Sequence, residues 1–167
     1  MILIVMGVSG SGKTTIGKLL AQRLGAHFLD ADDFHPEDNV KKMRGGIALD
    51  DVDRKPWLDH LNTELRNHEA RGDSVVLACS ALKRSYREQL RKGLRDVRVV
   101  YLHGTRALLT ARLAGREGHY MSPALLDSQF DTLEEPRAAI TIDVSGTPEG
   151  ATDAICAALG RTAGSTA

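Results

Sequence analysis

An α/β fold with a five-stranded parallel sheet and helices on both faces is predicted by three observations on this 167-residue sequence. Short continuous apolar runs recur along the chain. Helical patterns of about ten residues or more separate them. The first run opens directly into a glycine-rich turn followed by an amphipathic stretch.

The elements follow in order. Ile2–Met6 is a continuous apolar run, and 74–79, 97–102 and 140–144 are mostly apolar, which suits strands buried on both faces of a sheet. His27–Asp30 is a shorter candidate. Ile16, Leu19, Leu20 and Leu24 form one helical stripe, closed by Gly25. Trp57, Leu58, Leu61 and Leu65 form a second, ending before Gly72; Asp53 reads as its N-cap, with Pro56 in the first turn. Further helices are expected over 86–92, Arg106–Ala114, 123–133 and 148–159, and a short one over 36–43. One domain spanning residues 1–160 is expected, with 161–167 as a small, polar, flexible tail.

Composition narrows the function classes. Apolar residues are 42% and charged residues 26%, and net charge is zero, so nothing in the overall balance calls for nucleic acid or an anionic membrane as partner. Met1 to Met6 carries no basic flank and is too short for a signal or a membrane span. Cys79 and Cys156 lack C-x-x-C spacing, which argues against a disulfide framework or a cysteine zinc site; a reducing, cytoplasmic setting is expected.

Gly7-Val8-Ser9-Gly10-Ser11-Gly12-Lys13-Thr14 completes the pattern G-x-x-x-x-G-K-T between a strand and a helix, the context a phosphate loop requires. Backbone N–H groups of Gly7, Ser9, Gly10, Ser11 and Gly12 would cradle phosphates, helped by the helix dipole and by Thr15 in its first turn. Lys13 would supply a point charge to the β- and γ-phosphates, and Thr14 a hydroxyl for Mg²⁺. The chain therefore reads as a P-loop NTPase that takes ATP. A ligand-free glycine turn is the bland alternative.

The next candidates are acids. Asp30 and Asp32 are two apart and point the same way in an extended segment. One could steady the metal's water shell while the other accepts a proton from an attacking hydroxyl. Alternatively the loop is merely acidic, with Asp33 or Asp38 capping a helix. The arrangement resembles small-molecule kinases of the shikimate- and adenylate-kinase type, in which a mobile lid carries arginines over the phosphates. Arg112 and Arg116, at i, i+4, would share a helical face just before a lid at about 115–122. Solvated surface arginines are the alternative.

Cations also stand where helix dipoles disfavour them: Arg54 and Lys55 beside the expected Asp53 cap, and Lys83, where a capping box opened by Ser80 would want an acid, with Arg87 one turn later. Arg54, Lys83 and Arg87 together would make a pocket for a small anion, most simply a carboxylate. His35 and His119, in the irregular loops, are hydroxyl-binding candidates.

Taken together, these segments resemble gluconokinases. The resemblance runs from Met1 to about Glu135 and rests on the phosphate loop, on Asp32-Asp33-Phe34-His35-Pro36 with Asn39, Lys42 and Met43, and on Asp50-Asp51-Val52-Asp53-Arg54-Lys55-Pro56-Trp57-Leu58. It continues through Cys79-Ser80-Ala81-Leu82-Lys83, Tyr86-Arg87, His119-Tyr120-Met121, Leu125-Leu126, Ser128-Gln129-Phe130 and Leu133-Glu134. It implies ATP- and Mg²⁺-dependent phosphorylation of D-gluconate at its 6-hydroxyl by a soluble, often homodimeric enzyme. Thr14 stands where such kinases often have Ser, and Tyr120 where Phe is frequent; neither removes a needed group. On this footing Lys13, Arg112 and Arg116 would offset charge on the transferring group. Asp32 would be the base, and Thr14 with Asp30 would hold the metal. His119 and Gln129 would join the substrate contacts, and the loop ending at Pro148 would lie against adenine. A kinase for another small hydroxy acid such as shikimate, or a nucleotide-binding regulatory module, would be the rival readings.

Overall fold

The computed structural model describes residues 1–115 and 123–160. Five strands, β1 (Ile2–Met6), β2 (His27–Asp30), β3 (Val75–Ala78), β4 (Val97–His103) and β5 (Ile140–Asp143), form one all-parallel sheet in the order β2-β3-β1-β4-β5. The helices are α1 (Lys13–Leu24), α2 (Glu37–Arg44), α3 (Asp51–Ala70), α4 (Arg84–Arg91), α5 (Arg106–Ala114), α6 (Pro123–Thr132) and α7 (Pro148–Ala158). A short 3₁₀ turn, Ala31–Phe34, follows β2.

Strand pleating explains the two layers. Ile2, Ile4 and Met6 of β1 point to one face and pack with Trp57, Leu58, Leu61 and Leu65 of α3 and Leu90 of α4. Leu3 and Val5 point to the other and pack with Ile16 and Leu20 of α1, Leu109 of α5 and Ile155 of α7. Cys79 and Cys156 are free and buried, one in each layer. No helix among the described residues is long and apolar enough to cross a membrane.

The edges depart from the expectation of full burial. β5 alternates half-buried and exposed residues, and His27 opens β2 exposed, because each edge strand has a neighbour on one side only. Two helix starts also differ. The cap of α3 is Asp50, three residues earlier than expected, in a reciprocal capping box: Asp53 N–H donates to Asp50 Oδ1 at 2.8 Å and Asp50 N–H to Asp53 Oδ2 at 3.1 Å. Pro56 therefore lies inside α3, beyond its first turn. Ser80 caps nothing. α4 begins at Arg84 after Lys83, and its first N–H donates to Glu134 Oε2 at 2.7 Å, a cap supplied from far along the chain. The unfavourable placing of cations thus largely dissolves for α3, where Asp51 and Asp53 fill the first turn.

Candidate active site

In an open parallel sheet the loops after the strands' carboxyl ends converge on one edge. Here that edge receives the phosphate loop after β1, the Ala31–Phe34 turn after β2 and the Cys79–Lys83 segment after β3.

The phosphate loop is shaped for close backbone approach. A Cβ on Gly7 would fall 2.7 Å from Ser11 Oγ and 2.8 Å from the Leu102 carbonyl, so only glycine fits. Gly12 precedes α1 at φ 91°, which a side chain would resist. No side chain caps α1 and its first turn holds no acid, so its N–H groups face the loop free of a protein anion. Ser11 is fully buried, and its Oγ meets no partner among the described residues. Lys13 Nζ donates to the Val8 carbonyl at 3.1 Å, folded over the loop. This cradle fits a triphosphate.

Beside it, Thr14 Oγ1 donates to Asp30 Oδ2 at 2.7 Å, and Asp30 Oδ1 accepts from Asp32 N–H at 3.1 Å. One carboxylate thereby positions both the Thr14 hydroxyl and the backbone of Asp32. A hydroxyl and a carboxylate are the hard oxygen donors that Mg²⁺ prefers.

Two hollows flank the loop. A cavity of about 270 Å³ is walled by Gly10, Gly12, Arg112, Val144, Gly146 and Pro148. Arg112 crosses it, its guanidinium donating to the Val144 carbonyl. On the other side, a cleft of about 50 Å³ brings together Ser9, Lys13, Asp32, His35, Arg54 and Gln129, with Trp57 and Ser80 in its walls. Arg54 and Gln129 also line an adjoining hollow of about 30 Å³ with Met43 and Leu49. Gln129 Oε1 accepts from Ser9 N–H at 2.7 Å, linking α6 to the phosphate loop. A wider hollow of about 600 Å³ between α4 and the 134–138 segment lies away from these groups.

His35 is held in this cleft. Its ring stacks on Trp57 at 4.1 Å and 15°. Asn39 Nδ2 approaches Nδ1 at 3.5 Å and donates to the Asp53 carbonyl at 3.0 Å. On the other side of the ring, Nε2 faces Asp32 Oδ1 at 3.9 Å. Burial, reinforced by the Arg54 charge, pushes the His35 pKa down to about 4, so the ring is neutral at pH 7.

Of the three cations expected to share an anion pocket, Arg54 and Lys83 both lie against the Tyr86 ring, Lys83 Nζ at 5.4 Å from its centre, while Arg87 turns into the protein. Arg54 lines both hollows, donates to the Leu49 carbonyl and lies 5.3 Å from the Tyr86 ring centre. Lys83 is instead paired with Asp51 at 2.8 Å, and Tyr86 hydroxyl donates to the same carboxylate. Lys83 and Tyr86 together hold the Asp51 carboxyl below its usual range. Arg87 is 7% exposed, and its guanidinium donates to the carbonyls of Ala81, Leu82 and Glu134 at 2.9 Å each. Ala81 carries φ 44°, an uncommon left-handed setting for a residue with a side chain. Arg87 thus braces a strained turn whose Ser80 forms part of the cleft wall.

Arg116 and His119 lie outside the described residues, as does most of the expected lid. Sequence reasoning placed none of Trp57, Asn39 and Ser80 in the site. A polar residue amid the apolar and charged positions of a short helix, as at Asn39, was the available signal; the buried Trp57 indole, donating to the Ala31 carbonyl at 2.8 Å, looked like core.

Comparison with known proteins agrees with this geometry. A family profile described as an AAA domain matches residues 2–137. A probable gluconokinase of Xenopus tropicalis is 48% identical over 162 residues, covering 86% of this chain and 85% of that protein. The gluconokinase of Gluconobacter oxydans (strain 621H) is 51% identical over 134 residues, covering 80% and 75%. The crystal structure of a gluconokinase from Sinorhizobium meliloti 1021 superposes with a TM-score of 0.86 at 41% identity, covering 96% of this chain and 92% of that one. With a phosphate loop of this form and relatives matched over most of both lengths, the chain belongs to the gluconokinase family of P-loop kinases.

Proposed function

We propose that the protein transfers the γ-phosphoryl group of ATP to the 6-hydroxyl of D-gluconate, giving 6-phospho-D-gluconate and ADP. The observation that carries this reading is the cleft in which Lys13 and Ser9 of the phosphate loop share walls with Asp32, His35 and Arg54. Donor and acceptor would meet there, with a carboxylate, a neutral imidazole and a guanidinium within reach.

Each residue then has a task. The loop from Gly7 to Thr15, with Lys13, binds and orients the phosphates. The cavity bounded by Arg112 and Pro148 takes the base side of the nucleotide. Thr14 and Asp30 would hold Mg²⁺, which supplies charge neutralisation on the phosphates when bound. Asp32 accepts the proton of the attacking hydroxyl. His35 donates from Nε2 to a substrate oxygen, and Arg54 meets the substrate carboxylate. Gln129 positions the loop through Ser9. Lys83 and Arg87 act at one remove, Lys83 through Asp51 and Tyr86, Arg87 by bracing the Ala81 turn. Arg116 and His119 would serve as the resemblance implies, Arg116 toward the transferring phosphoryl group and His119 toward the substrate.

Two coarser features accompany the activity. The two free buried cysteines suit a reducing, cytoplasmic compartment. A homodimer is the assembly the family resemblance implies, and light scattering at working concentration checks it. To test the reaction itself, protein, ATP, Mg²⁺ and gluconate are incubated and the product is analysed by ³¹P–¹H correlation. Phosphate coupled to the C6 protons is expected; coupling to another carbon, or no phosphorylated acid, overturns the proposal.

A further inference from the structure

At the opposite end of the sheet, three metal-capable side chains converge where the mechanism uses none of them. His27 opens β2, His68 lies in the last turn of α3, and Asp73 sits in the turn leading to β3. Asp73 Oδ2 is 2.9 Å from His68 Nδ1 and 3.8 Å from His27 Nε2, and one donor atom from each of the three lies within 4.8 Å of the others. The two imidazoles face one another with ring centres 5.0 Å apart.

We propose that His27, His68 and Asp73 form a binding site for a borderline divalent transition-metal ion of the Zn²⁺, Co²⁺ and Ni²⁺ class. Donors each about 2.1 Å from one ion stand about 3.0–3.4 Å apart across octahedral or tetrahedral angles. His68 and Asp73 are already at that spacing. The His27 ring is 60% exposed, so it can turn about its side-chain bonds to close the rest. Two nitrogens and one oxygen suit this metal class rather than Mg²⁺ or Ca²⁺, which prefer all-oxygen sets. Water completes the coordination on the open side.

A second observation points the same way. Arg71 places its guanidinium in the cluster, donating from Nε to Asp73 Oδ2 at 3.1 Å and approaching His68 Nδ1 from Nη2 at 3.0 Å. The site therefore holds a cation of its own, on a side chain 57% exposed and free to swing into water. A metal would take the place Arg71 fills. The backbone around the site is fixed: Asp73 N–H donates to the His68 carbonyl at 3.0 Å and His27 N–H to the Ser74 carbonyl at 2.9 Å. Binding would clamp the start of β2 to the α3–β3 turn, far from the phosphate loop.

The test uses untagged, chelator-stripped full-length protein in excess Mg²⁺, titrated with Zn²⁺ by calorimetry and with Co²⁺ by visible absorption. One site of micromolar affinity is expected, with Tm raised by about 5–10 °C at a hundredfold excess over Kd. His27→Ala and Asp73→Asn should each weaken binding tenfold or more, Arg71→Ala should tighten it, and His60→Ala, which removes a nearby i, i+4 His–Glu pair, should leave it unchanged. Binding weaker than about 1 mM, or equal binding by a His27→Ala/His68→Ala double variant, would overturn the proposal.

Discussion

Asp30 holds the backbone of Asp32 beside the cleft, and the same carboxylate holds Thr14. A side chain poised to take a proton should matter to turnover and little to folding. Asp32→Asn is expected to lower kcat on gluconate by about 10²–10⁴ while leaving Tm within a degree or two, checked by steady-state kinetics and thermal melts. The cations make a sharper contrast. Arg54→Ala should raise the Michaelis constant for gluconate at least tenfold, whereas Lys83→Ala, which loses an exposed ion pair with Asp51, should change it less than about threefold. Equal effects from both would restore Lys83 to the anion pocket. At this scale the phosphate loop was fully legible, since its residue types are dictated by backbone approach to phosphate. Arg54, Lys83 and Arg87 looked alike because charge and helical spacing say nothing about burial. Only the fold reveals that Arg87 turns inward to three carbonyls.

Elements were legible to within a few residues where apolar periodicity decides them, as in β1 and α5, and less so where caps decide. Asp50, Asp51 and Asp53 are all competent N-caps by type, and Pro56 drew the expected boundary too late. The cap of α4 could not be read at all, because Glu134 is remote in sequence. That long-range bracing gives a prediction. Arg87→Ala leaves the carbonyls of Ala81 and Leu82 without their donor in a buried setting, and should destabilise the fold by about 2–4 kcal/mol, read by urea unfolding. The 3₁₀ turn after β2 gives another. His35 has a folded pKa of about 4 against an unfolded value near 6.5. Above pH 6.5 both states are neutral there; as pH falls from 6.5 toward 4, the unfolded chain takes up the proton first and stability is lost, by up to about 3 kcal/mol. In the same range His35→Asn should flatten the dependence of unfolding free energy on pH, and an unchanged slope would contradict a buried neutral ring.

For the whole molecule, alternating strands and helices sufficed to foresee a parallel sheet with two covered faces, because right-handed crossovers leave few other solutions. The order β2-β3-β1-β4-β5 was not legible, since periodicity carries no information about which strands are neighbours. That order puts the loops after β1, β2 and β3 side by side, so residues as far apart as Lys13, Asp32, Arg54 and Gln129 share one cleft. Donor and acceptor sites are thus a property of the fold, and the specificity of the protein turns on what the acceptor is. The most direct measurement is ADP release with ATP and Mg²⁺ across gluconate, other sugar acids, shikimate and nucleoside monophosphates at matched concentrations. Gluconate alone is expected to drive rapid release, with kcat/KM at least about a hundredfold above shikimate and the monophosphates. Release driven equally or better by one of those other acceptors, or none above the gluconate-free rate, would contradict it.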